Sequence, residues 1–365
     1  MSAINIRMAT DADHDKILEL ARRCPQEGMV SFFPLRTPRF NTLHRLIDPG
    51  AWHYVACKGD EIIGLVGVMH FQARVLDKVC KVGYMLDLRL DKEYRSGIAA
   101  FRLVKTAIDH LRNSDADMVI VNFLKDNKRP LVFTSGRGGL PVAHSLGDNM
   151  IFNILSFYKM KLNKRFEVSK PTKADIPEIL ELYKHYGASF KIAPVINEDL
   201  FNRYITTIDG LSLDNFLVAR ENGKIKAVTA LWDEHNYKNY YVQKLNFSIN
   251  VVTNILKFLS LFMRVPQPIR LHKPLTQLMI VLNAHDGCPE ALETLFRHVN
   301  NIMRGSKYTL LTLYGQENDP MFKLIKKFKG FSVKSEMHLF SKDTSVFEQL
   351  DNDPSPVMFD LSLSQ

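Results

Sequence analysis

At 365 residues the chain exceeds one typical domain and is comfortable for two, each large enough to bury a core. Its 46% hydrophobic and 24% charged residues exclude wholesale disorder. The net charge of +9 favours anionic partners, a class that covers nucleic acid, membrane surfaces and a phosphorylated cofactor alike.

The first predicted element is a short strand over 4–8. It leads through threonine and aspartate, good N-cap residues, into a helix whose Ile17, Leu18 and Ala21 recur at helical spacing. A second helix is expected around 38–47. Two strands follow, joined by the polar turn Lys58-Gly59-Asp60. An apolar strand over 82–90 then feeds a helix over 98–112. A strand over 118–124, a short helix and a final strand or hairpin complete the first half. A basic connector with Lys159, Lys161, Lys164 and Arg165 reads as a solvated link. The same order then recurs: a strand at 166–169, a helix with Ile179, Leu180 and Tyr183, and a helix at 198–207. Strands about the turn Glu221-Asn222-Gly223 follow, then a strand at 276–282, a helix at 290–304 and a strand at 308–314.

This recurrence is written in the residues. TDADHDKILEL at 10–20 and TKADIPEILEL at 172–182 share Thr10/Thr172, Ala12/Ala174, Asp13/Asp175, Ile17/Ile179, Leu18/Leu180, Glu19/Glu181 and Leu20/Leu182, at an offset of 162. HYVACKGDEIIG at 53–64 parallels FLVARENGKIKA at 216–227, with Val55/Val218 and Ala56/Ala219 at 163. Two matches in the same order point to duplication. The reading is therefore a mixed α/β chain of two tandem domains, 1–162 and 163–365, each a mixed sheet flanked by helices. Leu103/Leu295 lie 192 apart, so the second half carries 192 − 163 = 29 extra residues near 238–270. This insertion holds the longest apolar stretch, 251–263, broken by Asn254 and Lys257 and too short to span a bilayer. Its simplest role is a cover for the domain–domain core or a homodimer face. A membrane-surface anchor is the alternative, with Lys257 and Arg264 as its few basic residues.

The segment KVGYMLDLRLDKEYRSGIAAFRLVKTAIDHL, 81–111, is a strand, a glycine-bearing turn and an amphipathic helix. A helix N-terminus offers unpaired N–H groups and partial positive charge, which together bind phosphate. Gly97 lets the backbone come close, Arg95 can pair with an anion, and Ala99 and Ala100 leave room against the first turn. Strand, RSGIA turn and long helix resemble the acetyl-CoA-binding segment of the GNAT superfamily, whose signature is [Q/R]xxGx[G/A]. Gly97 and Ala99 fit its small positions. Tyr94 stands at the Gln/Arg position and Arg95 is shifted by one place. In its tandem layout the chain also resembles the plant hookless-type putative acetyltransferases and their bacterial relatives.

The resemblance implies acetyl-CoA as co-substrate, with its pyrophosphate on Arg95, Ser96, Gly97, Ile98 and Ala99. The pantetheine arm would lie along Leu88, Arg89 and Leu90, where a backbone N–H would stabilise the oxyanion. Asn127 looks like the family's cofactor-side asparagine. Where the family often has a tyrosine acid, Phe133-Thr134 stand here, and Thr134 reads as a positioning hydroxyl. The implied reaction is direct attack by a small-molecule or peptide amine in a ternary complex. Asp87 is the expected base, with Glu61 or His70 relaying through water. The second-half turn, NAHDGCPEALETL, lacks the cradle. Its half is expected to shape the substrate cleft or a dimer.

Cys24, Cys57, Cys80 and Cys288 lack metal-ligand spacing, so no metal is expected. No nucleic-acid partner is favoured, and the residues at the start read as those of a cytoplasmic protein. An aminoacyl-tRNA-dependent transferase and a silent acyl-CoA-binding protein are the competing functions.

Overall fold

Both halves begin on the same local device. The hydroxyl and backbone N–H of Thr10 engage Asp13, three residues on, and those of Thr172 engage Asp175. The repeated Thr-x-Ala-Asp is thus a capping box, which satisfies N–H groups that a helix start leaves unpaired. The computed structural model describes residues 4–358 apart from 96, 126 and 128. In chain order the first half holds β1 (Ile4–Met8), α1 (His14–Arg23), β2 (Val30–Arg36), α2 (Thr42–Ile47) and β3 (Trp52–Lys58). It continues with β4 (Glu61–Val75), β5 (Lys78–Leu90), α3 (Ile98–Asn113), β6 (Met118–Leu124) and β7 (His144–Ile154). The second half holds β8 (Glu167–Ser169), α4 (Ile176–Gly187), β9 (Ile192–Pro194), α5 (Glu198–Thr207), β10 (Phe216–Glu221) and β11 (Lys224–Trp232). There follow β12 (Lys238–Leu245), α6 (Phe247–Leu259), β13 (Gln277–His285), α7 (Pro289–Met303), β14 (Leu310–Gln316), α8 (Pro320–Ile325), β15 (Gly330–Ser341) and α9 (Ser345–Asn352).

The main sheet runs β1-β3-β4-β5-β6-β15-β7-β14-β13-β11-β10-β8. Read from either end it passes through equivalent strands, so the duplicated sequence has become a two-fold-like sheet. Its centre is exchanged. β7, the last strand of the first half, pairs with β14, and β15, the last of the second, pairs with β6. β6 maps onto β14 at 310 − 118 = 192, and β7 onto β15 at 330 − 144 = 186. That second offset makes Asn149 the counterpart of Ser335, and the two face each other in the β7–β15 ladder. The pseudo-axis therefore passes between them.

Four apolar clusters hold this sheet, the smallest packing α1 onto β3 and β4 through Ile17, Leu20, Val55 and Leu65. Another lies under α3, built on Leu103, Ala107 and Leu111, and its counterpart lies under α7, built on Leu292, Leu295 and Val299. The fourth fills the opposite face across both halves, joining Leu86 and Ile120 to Ile179, Phe216 and Val281. The mixed α/β reading holds, with the elements recurring in the same order along both halves and sharing one continuous sheet in place of a separate sheet for each half. The ribbon of β2 with β12 is additional to that order, and it joins strands from the two halves.

The apolar insertion corrects one expectation. Helix α6 turns only Thr253 and Leu256 fully inward, while its Phe247, Val251, Ile255 and Phe258, and Phe262 in the turn just beyond it, stand exposed. Its outer face covers no core.

Candidate active site

β5 and β6 run parallel but pair only over Val82–Met85 and Met118–Val121, although both continue past that point. The cause is a bulge: between Leu86, opposite Gly67, and Arg89, opposite Leu65, the two residues Asp87 and Leu88 stand against a single β4 residue. Asp87 takes φ 53, a left-handed value that a non-glycine residue holds at a cost. A bulge increases local twist, so the strands part. A wedge opens between 86–90 of β5 and 122–124 of β6, and its far side is fixed by β15 pairing to β6.

Beyond the wedge the chain turns into α3. Gly97 is the N-cap, at φ −100 and ψ −179, with no side chain bonding back to the first turn, and that turn holds no acidic residue. Among the described residues no side chain caps the N–H groups at the positive end of this helix. Ile98 is exposed and Ala99 buried, so the first turn has an open and a packed side. Arg95 donates from Nε to the carbonyl of Leu90, at 3.0 Å, and so ties the turn to the end of β5. Lys58 donates to the Tyr94 hydroxyl at 2.9 Å. Ser96 lies outside the described residues. Asn127 is exposed, its backbone N–H donating to Leu124 at 2.9 Å. The Thr134 hydroxyl donates to the carbonyl of Leu131 within its own turn, at 2.8 Å. Glu61 sits on the surface with Arg23, and half-buried His70 meets Ser114 and Asp48.

On the face away from α3, Asp87 is the centre of a buried charge cluster. Arg36, at the end of β2, reaches it at 2.7 Å, and Arg89 stands at 3.8 Å. Burial alone would raise the carboxyl pKa. Arg36 and then Arg89 outweigh it and hold Asp87 well below the usual carboxylate range. Two buried histidines adjoin the cluster: His44 Nδ1 and His53 Nε2 lie 3.0 Å apart. Burial brings His53 to about 4, against the attraction of Asp87, and pushes His44 well below its ordinary value. Gly67 makes this possible. A Cβ there would stand 2.7 Å from Leu86 and 2.9 Å from His53, so only glycine lets the imidazole lie across β4.

Ligand atoms of His44, His53 and Asp87 come within 4.8 Å of one another, a spacing that could gather a cation. Arg36 already occupies one Asp87 oxygen, and the histidines bond each other. Adding a metal cation beside two guanidinium groups would be opposed by like charge. The cluster is better read as a self-neutralised polar centre. A groove of about 570 Å³ lies elsewhere, against α7 and the 161–164 segment, where Glu293 pairs with Arg297 and Lys327. That carboxylate is already paired, and none of the groove's lining residues belongs to the wedge.

The structure thus gathers Asp87, Leu88, Arg89 and Leu90 at the wedge and Arg95, Gly97, Ile98 and Ala99 at the adjoining turn, with Asn127 and Thr134 on the segment after β6. Sequence reading missed Arg36, His44 and His53. None has a motif spacing that could have marked it, because each is brought to Asp87 by a different element.

Residues 15–130 match the acetyltransferase (GNAT) family. No curated protein sequence matches the chain. Among solved structures it is similar to N-myristoyltransferase of Saccharomyces cerevisiae with bound myristoyl-CoA, at 13% identity and a TM-score of 0.64, over 93% of this chain and 79% of that one. It is also similar to a chain with a GCN5-related glucosamine N-acetyltransferase region, in a fungal multi-domain GH3 β-N-acetylglucosaminidase. There the TM-score is 0.59 at 12% identity, over 93% of this chain and 38% of that one. At these identities the likeness is one of fold.

Proposed function

We propose that the chain, whose residues 15–130 match the acetyltransferase (GNAT) family, transfers an acyl group from acyl-CoA to an amine, with acetyl-CoA as donor and a small-molecule or peptide amine as acceptor. One observation carries the reading: the β5–β6 wedge leads to a helix N-terminus with no side-chain cap and no acid in its first turn. The pyrophosphate would rest on the amides from Gly97 to Ala99. The pantetheine arm would pair with the edge of 88–90, whose N–H groups would face the thioester oxygen. The amine nitrogen attacks the thioester carbon, the C–S bond breaks, and CoA leaves as a thiolate that takes up a proton.

Asp87 is the proposed carboxylate on the acceptor side. Held low by Arg36 and Arg89, it is a weak proton acceptor, so its role is to orient the amine while the proton passes to water. The charged cluster and the two histidines at the bulge offer a long alkyl chain little apolar lining, which favours a short acyl group. Calorimetry with acetyl-CoA and myristoyl-CoA, followed by thiol release with a panel of amines, tests the reading. Failure of the full chain to bind any acyl-CoA would overturn it, and preference for the myristoyl donor would overturn the acetyl assignment. Asp87→Asn is expected to leave acetyl-CoA affinity unchanged and to raise the acceptor KM.

A further inference from the structure

Among the described residues the outer face of α6 has no partner. Phe247, Val251, Ile255, Phe258 and Phe262 recur at four, four, three and four residues, the spacing of one helical stripe, and all are exposed. Phe247 is 84% and Phe262 74% exposed, and Leu261 beside it is 75% exposed. Exposed apolar residues standing singly need no explanation, but a continuous stripe of large ones does. The helix is held in place from within. Asn246 caps it by accepting from Ile249 N–H at 2.9 Å, and Thr253 and Leu256 pack inward. The stripe is therefore presented by an anchored helix.

Charge identifies what it meets. From 235 to 285 the sequence contains no aspartate or glutamate. Five basic residues of this stretch, Lys244, Lys257, Arg264, Arg270 and Lys273, are exposed. Apolar side chains flanked by exposed basic ones match an anionic bilayer, with hydrocarbon below and negative headgroups around it. A second copy of the chain fits less well. Across a two-fold contact of α6 with itself, two acid-free basic insertions would face each other. We infer that α6 and residues 260–263 lie in the headgroup plane of an anionic membrane, docking the enzyme there without spanning it. Among the described residues no helix is long and apolar enough to cross a membrane, which agrees with docking from one side.

The test is flotation of the full chain with phosphatidylcholine vesicles, with and without phosphatidylglycerol. The parent should float with the anionic vesicles, weakly or not at all with phosphatidylcholine alone, and less at high salt. Phe258→Ser with Phe262→Ser should weaken that partitioning by roughly tenfold or more. Both side chains are exposed, so the variant should keep the parent's circular dichroism and its acyl-CoA affinity. Lys257→Glu should weaken binding to the anionic vesicles alone. A parent that stays at the bottom of the gradient, or floats equally with both vesicles, would overturn the inference. So would a parent dimer by light scattering that the double variant dissociates, since the stripe would then be a protein interface.

Discussion

At position 87 the first half places an aspartate, and at the equivalent 282 the second half places a leucine, both at φ 53 in a bulge that splays two parallel strands. The wedge is thus a property of the doubled fold, and what occupies it is a property of each half. In the second half the bulge is tied to its neighbours by side-chain hydrogen bonds. Tyr183 of α4 donates its hydroxyl to the carbonyl of Leu282 at 2.8 Å, and Thr229 donates to Asn283 at 2.7 Å. At the 162 offset the residue opposite Tyr183 is Ala21, which has no such reach. The following helices differ in the same sense. α3 starts uncapped and acid-free at Gly97, whereas α7 starts with Pro289, which has no N–H, and carries Glu290 in its first turn. One backbone design therefore carries a helix start without cap or acid in one half and a start with Pro289 and Glu290 in the other.

The largest expected effect would break the first wedge. Gly97 has an ordinary extended φ, and a Cβ there would meet only the carbonyl of Tyr94, at 3.8 Å, so Gly97→Glu should fold normally. Its carboxylate would face the pyrophosphate, a repulsion on the order of a few kcal/mol that weakens binding by about a hundredfold or more. Calorimetry on the full chain should show one acetyl-CoA site in the parent and none in the variant. A variant that melts like the parent and binds normally would move the cofactor away from this turn.

Next in size is an acid effect that belongs to the first half. His53 corresponds, at the 163 offset, to Phe216. Its pKa is about 4 in the fold and near 6.5 in the unfolded chain, so the unfolded chain takes up the proton first. Stability that is complete above about pH 6.5 should fall by roughly 3 kcal/mol as the pH drops to about 4. Buried His44 adds loss of the same sign. Urea titrations from pH 7 to 4 measure this. His53→Phe, which makes the first half like the second, should flatten the slope; an unchanged slope would place the effect elsewhere.

The smallest effect sharpens the other side of the comparison. Tyr183→Phe removes one buried hydrogen bond and should cost about 1 kcal/mol of stability. Acetyl-CoA affinity should not change, because the proposed cofactor site lies in the first half. A drop in affinity equal to that of Gly97→Glu would mean that the two wedges act together.

The sequence alone determined what depends on neighbours along the chain. Capping boxes, helical periodicity, polar turns and the RSGIA segment are local patterns, and the repeat made each half corroborate the other. The same locality exposed the loss of the cradle in the second half, since Pro289 and Glu290 can be read without a partner. Tertiary structure decided the rest. The exchange of β7 and β15 could not be read, because an apolar strand carries no label for the strand it will pair with. The approach of Arg36 to Asp87 depends on a ribbon whose second strand lies some two hundred residues away, at Lys238–Leu245. The apolar run at 251–263 was visible, but not that its stripe faces outward. Hydrophobicity measures the gain from leaving water, and only the packed fold settles which side of a helix is already out of it.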